Sequence, residues 1–274
     1  MMIAEVLKAI LLGIVEGITE WLPISSTGHM ILVDEVIKLN TSKEFKELFM
    51  VVIQLGAILA VLALFWNKIV PFKFQEGEPL VQKNTMVMWG KIIIATIPAA
   101  IVGVFFDDPI NELFYRYEIV AIALIGYGIL FLLIETYNKR RKPKMESIDE
   151  LSYSAVLLIG FFQLLAAVIP GTSRSGATII GGILIGASRV TATEFTFYLA
   201  IPAMFGASFL KILKFGLHFT GSELMILLIG MVTAYIVSMI VIRFLMGYIK
   251  KHDFKVFGWY RIVLGVLVLF LFSQ

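Results

Sequence analysis

Two glutamates stand in the middle of a stretch that otherwise has the composition of a membrane segment. Glu16 and Glu20 are four residues apart in LLGIVEGITEWLPISSTGHM, residues 11–30, so their carboxylates share one face of a helix. An ionised side chain inside a bilayer costs at least about 2.5–3.5 kcal/mol, so such a pair indicates a functional site. Carboxylate oxygens are also the ligands that Mg²⁺ and Ca²⁺ prefer, which makes the pair a candidate metal site.

The same stretch supplies hydroxyl groups and an imidazole directly after the glutamates. Pro23 ends the helix, and Ser25, Ser26 and Thr27 follow it, ahead of His29. His29 stands three positions after Ser26, so one helical turn could bring the two side chains together as nucleophile and acid/base. We expect Ser26 to be the nucleophile. The alternative nucleophiles are His29 itself and a water molecule.

A second cluster of polar residues interrupts another apolar stretch at PGTSRSGAT, residues 170–178. Arg174 lies deep in this stretch and needs an anionic partner. A Gly-Thr-Ser-Arg-Ser-Gly loop that opens a helix offers free backbone N–H groups, hydroxyls and a guanidinium, which suits a phosphate or diphosphate. The candidate substrate-binding residues are the hydroxyl and glycine positions of the two clusters: Ser25, Thr27, Gly171, Thr172, Ser173, Ser175 and Thr178.

The composition is that of a polytopic membrane protein. The 274 residues are 59% hydrophobic and only 16% charged, with a mean hydropathy of +0.92, whereas a soluble domain has about 25% charged residues. No basic stripe with interleaved aromatic residues indicates a nucleic-acid partner. The absence of cysteine excludes disulfides and Cys-based metal sites. We therefore predict one all-α membrane domain over residues 1–274 whose partners are membrane lipids and an anionic substrate.

Two kinds of apolar segment are expected to position the polar clusters. Uninterrupted segments predict transmembrane helices at 48–67, 85–106, 117–137, 193–214, 223–246 and 256–273. Residues 3–37 and 152–187 are instead broken in the middle by proline and a Ser/Thr/Gly cluster, and we interpret both as re-entrant helix hairpins. Gln54 is expected to make a helix–helix hydrogen bond, and 107–112 reads as a solvated outer loop.

The two broken stretches also resemble each other. At an offset of 147, Pro23 falls on Pro170 and Ser26 on Ser173, and Tyr115-Arg116 matches Tyr260-Arg261 at an offset of 145. We therefore predict an inverted-topology repeat in which each copy is a re-entrant hairpin plus three transmembrane helices, with the site where the copies meet. The first repeat covers 1–138 and the second 152–274.

Lysine and arginine placement predicts the orientation in the membrane. The larger set of basic residues includes the dense cluster in KRRKPK, residues 139–144, so this side is assigned to the cytoplasm. Residues 139–151 are then a cytoplasmic connector, and both termini lie outside.

EGITEWLPISSTGH together with PGTSRSGAT resembles the undecaprenyl-diphosphatase family, the bacitracin-resistance membrane phosphatases, and the likeness covers the whole chain. The family's E-x-x-x-E pair matches Glu16 and Glu20, its Ser-Ser-Thr-Gly-His element matches 25–29, and its Pro-Gly-x-Ser-Arg-Ser-x-x-Thr motif matches 170–178. The resemblance implies hydrolysis of a C55 polyprenyl diphosphate to the monophosphate carrier of cell-wall synthesis. It also implies dependence on a divalent cation and a site that opens to the outer face of the bacterial cell membrane.

The expected catalytic residues are Glu16, Glu20, Ser26, His29 and Arg174, with both glutamates as ligands of Mg²⁺ or Ca²⁺. One alternative is that Arg174 only locks the hairpins together through an ion pair with a glutamate. Another is a transporter or flippase for a lipid-linked or anionic substrate, which the inverted repeat favours on fold grounds. His29 beside Ser26 favours the hydrolase, because a carrier needs binding groups but not a nucleophile paired with an acid/base. The sequence leaves open the lipid chain length and whether the protein forms a homodimer.

Overall fold

The computed structural model describes residues 2–73, 79–114, 116–139, 141–216 and 218–272, and within these ranges the protein is all-helical, without a β-strand. The helices are α1 (Met2–Thr19), α2 (Ser26–Val36), α3 (Lys43–Ile69), α4 (Lys83–Phe105), α5 (Asp107–Phe114), α6 (Tyr117–Asn138), α7 (Tyr153–Val168), α8 (Arg174–Leu184), α9 (Arg189–Phe215), α10 (Gly221–Ile249) and α11 (Lys255–Phe272). Six of them, α3, α4, α6, α9, α10 and α11, are long and apolar enough to cross a membrane. The predicted class, an all-α polytopic membrane protein, is confirmed.

The two broken stretches each form a pair of helices, 18 and 11 residues long in the first stretch and 16 and 11 residues long in the second. The first stretch contains α1 and α2, the second contains α7 and α8, and the two polar clusters lie at the breaks between them. The order of one helix pair followed by three long helices therefore occurs twice along the chain. The inverted relation between the two copies stays a prediction.

Glycines allow each hairpin to pack closely against a long helix from the other half of the chain. A Cβ atom at Gly13 of α1 would lie 2.6 Å from the carbonyl oxygen of Gly230 in α10. Similarly, a Cβ at Gly160 of α7 would lie 2.4 Å from the carbonyl oxygen of Ala95 in α4. Such close backbone approach is typical of membrane helices. Their association depends on van der Waals packing, which small residues permit, and not on the hydrophobic effect.

Residues 107–114 form a helix where an outer loop was expected. The segment starts with Asp107 and Asp108 and has Pro109 in its first turn. Proline favours the first turn of a helix, because its missing N–H would have no partner there and its φ is already helical. The correction is local and leaves the six long helices unchanged.

An ion pair with a buried carboxylate joins three helices at the end remote from the hairpin breaks. The Glu135 carboxylate of α6 is fully buried and accepts hydrogen bonds from Arg189 at the start of α9. Its Oε1 also accepts the backbone N–H of Phe254, just before α11, at 3.1 Å. This pair fixes the start of two long helices against the end of a third.

Candidate active site

Helices α2 and α8 begin in the same unusual way. Their N-cap residues, Ser25 and Ser173, have φ angles of 75° and 70° and are the non-glycine residues with positive φ in the described part of the chain. Each cap side chain accepts the N–H of the glycine three residues on, Gly28 at 3.4 Å and Gly176 at 3.2 Å. Such backbone strain costs about 1–3 kcal/mol per residue and clusters at functional sites, so both breaks are candidates for function.

The shared cap changes the register of the comparison between the two breaks. The sequence offset placed Ser26 opposite Ser173, but the structure makes Ser25 the equivalent of Ser173. Ser26 and Arg174 are consequently the first residues of their helices. The sequence comparison missed this because it aligned the two prolines. Pro170 lies three residues before its cap Ser173, whereas Pro23 lies two residues before Ser25.

Both of these first residues bind the same carboxylate. Glu20 follows α1 and is almost fully buried, with 9% of its side chain exposed. Its Oε2 accepts the Ser26 hydroxyl at 2.9 Å, and its Oε1 accepts Arg174 Nη2 at 3.0 Å. One carboxylate therefore joins a hydroxyl from the first hairpin to a guanidinium from the second.

A layer of hydroxyl groups supports Arg174 from behind. Thr178 donates to the carbonyl of Arg174 at 2.9 Å and accepts the hydroxyl of Thr196 at 2.8 Å, while Arg174 Nη1 donates to the carbonyl of Thr196 at 3.2 Å. Ser175 donates to the carbonyl of Glu20 at 3.1 Å, which ties α8 to the end of α1. Thr178 is fully buried, so its place is in this supporting layer.

A cavity of about 260 Å³ opens beside the carboxylate. Its wall consists of Glu20, Ser26, Thr27, Gln54, Ala166, Pro170, Gly171, Ser173, Arg174, Ser175, Ala203, Met204 and Ala207. Four of the seven expected substrate-binding residues are on this wall, namely Thr27, Gly171, Ser173 and Ser175. The other three, Ser25, Thr172 and Thr178, lie outside it. Gln54, expected to bond another helix, is on the wall instead.

His29 has other partners than the expected Ser26. Its Nδ1 lies 2.7 Å from the carbonyl oxygen of Ser25, one helical turn back, and its Nε2 lies 2.7 Å from the hydroxyl of Tyr260 in α11. A carbonyl only accepts, so Nδ1 carries the proton and Nε2 accepts from Tyr260 in the neutral ring. The structure thus pairs Ser26 with Glu20 and holds His29 against α11. Tyr260 was missed because nothing near it in sequence marks a partner 231 residues away.

Glu16 is a second buried carboxylate of the first hairpin, with 1% of the residue exposed. Its Oε1 has no hydrogen-bond partner, and both polar atoms of Gln163 in α7 also lack one. A buried acceptor without a donor is costly, so an unpaired carboxylate oxygen next to a second carboxylate suits a hard cation. No group of three or more His, Cys, Asp or Glu side chains in the described ranges forms a ready-made metal site. Two carboxylates with substrate oxygens still fit Mg²⁺, which keeps several waters.

The fold and the site define the class: an all-helical, polytopic membrane protein with a carboxylate, a hydroxyl and a guanidinium buried where two half-length helices begin. The family model for "Bacitracin resistance protein BacA" matches residues 9–267, and the chain belongs to this family.

Curated relatives match over nearly the whole length. An undecaprenyl-diphosphatase from Desulfitobacterium hafniense is 64% identical over 273 residues, covering 100% of this chain and 98% of the relative. Undecaprenyl-diphosphatase 1 from Clostridium acetobutylicum is 63% identical, covering 98% of this chain and 97% of the relative. An undecaprenyl-diphosphatase from Enterococcus faecalis is 60% identical, covering 97% and 96%.

Proposed function

We propose that this protein hydrolyses undecaprenyl diphosphate to undecaprenyl phosphate and inorganic phosphate. The reaction would recycle the lipid carrier for cell-wall synthesis and confer bacitracin resistance. The observation that carries the proposal is the buried Glu20 carboxylate, which contacts the Ser26 hydroxyl and the Arg174 guanidinium beside a cavity. The names of the relatives support the same substrate.

The diphosphate binds where α2 and α8 begin. Unpaired N–H groups and the positive ends of two helix dipoles point toward this place, and such ends favour phosphate. Arg174 and Ser173 are on the cavity wall and hold phosphate oxygens. The polyprenyl tail stays in the membrane, along the apolar outer surface of the helices. The protein works in the bacterial cell membrane with the cavity open to the outer side, as the lysine and arginine distribution favours.

The reaction proceeds by transfer of the terminal phosphoryl group to Ser26. Its Oγ attacks the terminal phosphorus while the bond to the bridging oxygen breaks, and undecaprenyl phosphate leaves. Glu20 accepts the hydroxyl proton and passes it to the leaving phosphate, and Arg174 stabilises the charge on the transferred group. Water then attacks the phosphoserine, Ser26 regains a proton from that water, and inorganic phosphate is released.

Glu16 and Glu20 are the residues that would hold a divalent cation. When bound, Mg²⁺ or Ca²⁺ would neutralise charge on the diphosphate. Oε1 of Glu16 has no protein partner, and each oxygen of Glu20 has one protein partner and a second lone pair that can bind a cation. Buried without a cation or donor, Oε1 of Glu16 would be an unsatisfied acceptor.

The test is phosphate release from undecaprenyl diphosphate by purified protein in detergent. We expect release by the wild type, loss after chelation and recovery with Mg²⁺ or Ca²⁺. Ser26→Ala should lower kcat by roughly 1000-fold or more, whereas Ser154→Ala, at an exposed serine of α7, should stay within about twofold of wild type.

A phosphoenzyme trapped by rapid quench should map to Ser26. Wild-type protein that moves the lipid between leaflets without releasing phosphate would instead be a transporter.

A further inference from the structure

Arg261 is a buried cation to which the proposed reaction gives no role. It lies in α11, its side chain is fully buried, and it forms no ion pair with any described residue. A charge taken out of water costs free energy unless hydrogen bonds or a counter-ion satisfy it. A charged group retained inside a membrane protein therefore needs a specific reason.

The partners of the guanidinium supply that reason, because they come from both hairpin breaks. Nη1 donates to the carbonyl of Pro23 in the first break at 3.3 Å. Nη2 donates to the carbonyls of Gly171 and Thr172 in the second break, at 2.9 Å and 2.8 Å. Pro23 and Gly171 are far apart in sequence, and Arg261 bridges them from a third element.

Arg261 lies behind the cavity. It is absent from the cavity wall. A Cβ atom added to Gly176 would lie 3.1 Å from Arg261 Nη1 and 3.3 Å from Ser173 Oγ, so the guanidinium sits beneath the first turn of α8. The Gly171 position also leaves no room for a side chain: φ is +88°, and a Cβ would lie 2.5 Å from the carbonyl oxygen of Val120. The second break is thus held from α6 and from α11.

We propose that Arg261 is a positioning residue that clamps the two hairpin breaks at a fixed separation, so that Glu20 meets Ser26 and Arg174 together. The inference rests on the proposed function, because it assigns the clamp to that site. A guanidinium suits the role because its planar fork presents several N–H groups in fixed directions. A lysine has the charge but concentrates its donors on one atom, so it cannot span the same carbonyls.

Arg116 provides a matched control. The sequence repeat pairs it with Arg261, but Arg116 is exposed and bonds Glu118 at 3.1 Å. Replacing either arginine by methionine removes one guanidinium and keeps an unbranched side chain. Of the two side chains, Arg261 is the one that bonds the hairpin breaks.

The clamp is measured directly as a distance between the hairpins. The natural chain has no cysteine, so Val36→Cys and Leu184→Cys, exposed sites near the ends of α2 and α8, take one spin-label pair. Pulsed electron–electron double resonance in detergent should give one narrow distance distribution for the labelled protein that is otherwise wild type. The labelled protein with Arg116→Met should give the same distribution. Arg261→Met should broaden or shift it, and Arg261→Lys should do so to a smaller degree.

Steady-state phosphate release is measured on the same variants without labels. A displacement of about 1 Å at reacting groups costs on the order of 100-fold in rate, so Arg261→Met should lower kcat by about that factor. Arg261→Lys should recover part of the loss, and Arg116→Met should stay within about twofold of wild type. KM should change less than kcat, because every residue of the cavity wall is retained and only the alignment of the reacting groups changes.

Two results would overturn the proposal. One is an unchanged distance distribution together with a large fall in kcat, which would mean that Arg261 acts on the substrate itself. The other is a kcat within twofold of wild type in Arg261→Met. If the methionine variant does not fold, Arg261→Lys decides between the same outcomes. A wild-type protein that releases no phosphate would refute the proposed function, and the distance measurement would still test the clamp.

Discussion

In the described ranges, two buried carboxylates, Glu20 and Glu135, each pair with an arginine, and their surroundings differ. Glu135 is contacted by Arg189 through two nitrogens and by the backbone N–H of Phe254. Glu20 is contacted by Arg174 through one nitrogen and by the Ser26 hydroxyl. The first pair is thus held by fixed backbone and a two-point fork, whereas the second includes a group that can react.

The supporting threonines make the comparison closer. Thr178 donates to the carbonyl of Arg174, four residues back, at 2.9 Å, and Thr193 donates to the carbonyl of Arg189 in the same way at 2.8 Å. The two regions therefore share an arginine in the first turn of a helix, a threonine behind it and a buried glutamate. The difference teaches that burial and charge alone do not mark a site. A neighbouring cavity does not mark one either, because Arg189 borders a cavity of about 350 Å³. What separates the Glu20 region is a hydroxyl on the carboxylate, where Glu135 has a backbone N–H.

Removing each carboxylate should separate function from stability, and this is the largest effect expected. Glu20→Gln should lower kcat by about 1000-fold, because the proton acceptor for Ser26 and the partner of Arg174 are both lost. Glu135→Gln should leave kcat within about threefold of wild type but lower the free energy of unfolding by about 1–3 kcal/mol, since hydrogen bonds to charged groups are lost. Phosphate release and thermal denaturation of both variants give the comparison.

The opposite pattern would reassign the two pairs. If Glu20→Gln kept normal turnover and mainly lowered stability, its pair with Arg174 would be a lock between hairpins, the alternative that the sequence left open. If Glu135→Gln lost activity at full stability, the region around Arg189 would belong to the site.

Much of this arrangement is predictable from the sequence, for identifiable reasons. Charge-free segments indicate membrane helices because ionised groups are excluded from the bilayer. Pro23 and Pro170 indicate breaks because proline cannot continue a helix. Arg174 was expected to need an anionic partner because an isolated charge at the depth of a membrane is costly, and an ion pair with Glu16 or Glu20 was the alternative to a phosphate.

Other features depend on geometry that the sequence does not encode locally. The pairing of Ser26 with Glu20 depends on the positive φ of Ser25, and this cap also determines the register of the two breaks. Tyr260 and Arg261 bond residues more than 200 positions earlier in the chain. A tyrosine or an arginine in an apolar helix indicates that a polar partner exists, but not which one.

Replacing Arg174 and Arg189 by lysine should have different effects on activity, and both effects should be smaller than those of removing the carboxylates. Arg174→Lys should lower kcat by about 100-fold, because an ammonium carries its donors on one atom, whereas the guanidinium reaches Glu20 and the carbonyl of Thr196 through two separate nitrogens. Arg189→Lys should stay within about threefold in kcat and lose about 1 kcal/mol of stability, since the two-point contact with Glu135 is reduced to one. Kinetics with saturating substrate and denaturation curves provide the readouts. Equal losses of activity in both variants would remove the distinction between the pairs.

The supporting threonines give the smallest effect and the sharpest comparison, because valine matches threonine in shape. Thr178→Val leaves the Thr196 hydroxyl without its acceptor and loosens the layer behind Arg174, so we expect a three- to tenfold fall in kcat at nearly constant KM. Thr193→Val removes only a hydrogen bond to a helix carbonyl, and its kcat should not change. If instead Thr178→Val raised KM and left kcat alone, Thr178 would act through substrate binding, as the sequence suggested. That result would require α8 to move enough to bring a fully buried hydroxyl to the cavity wall. Since the hydroxyl already bonds Arg174 and Thr196, the geometry favours the change in kcat.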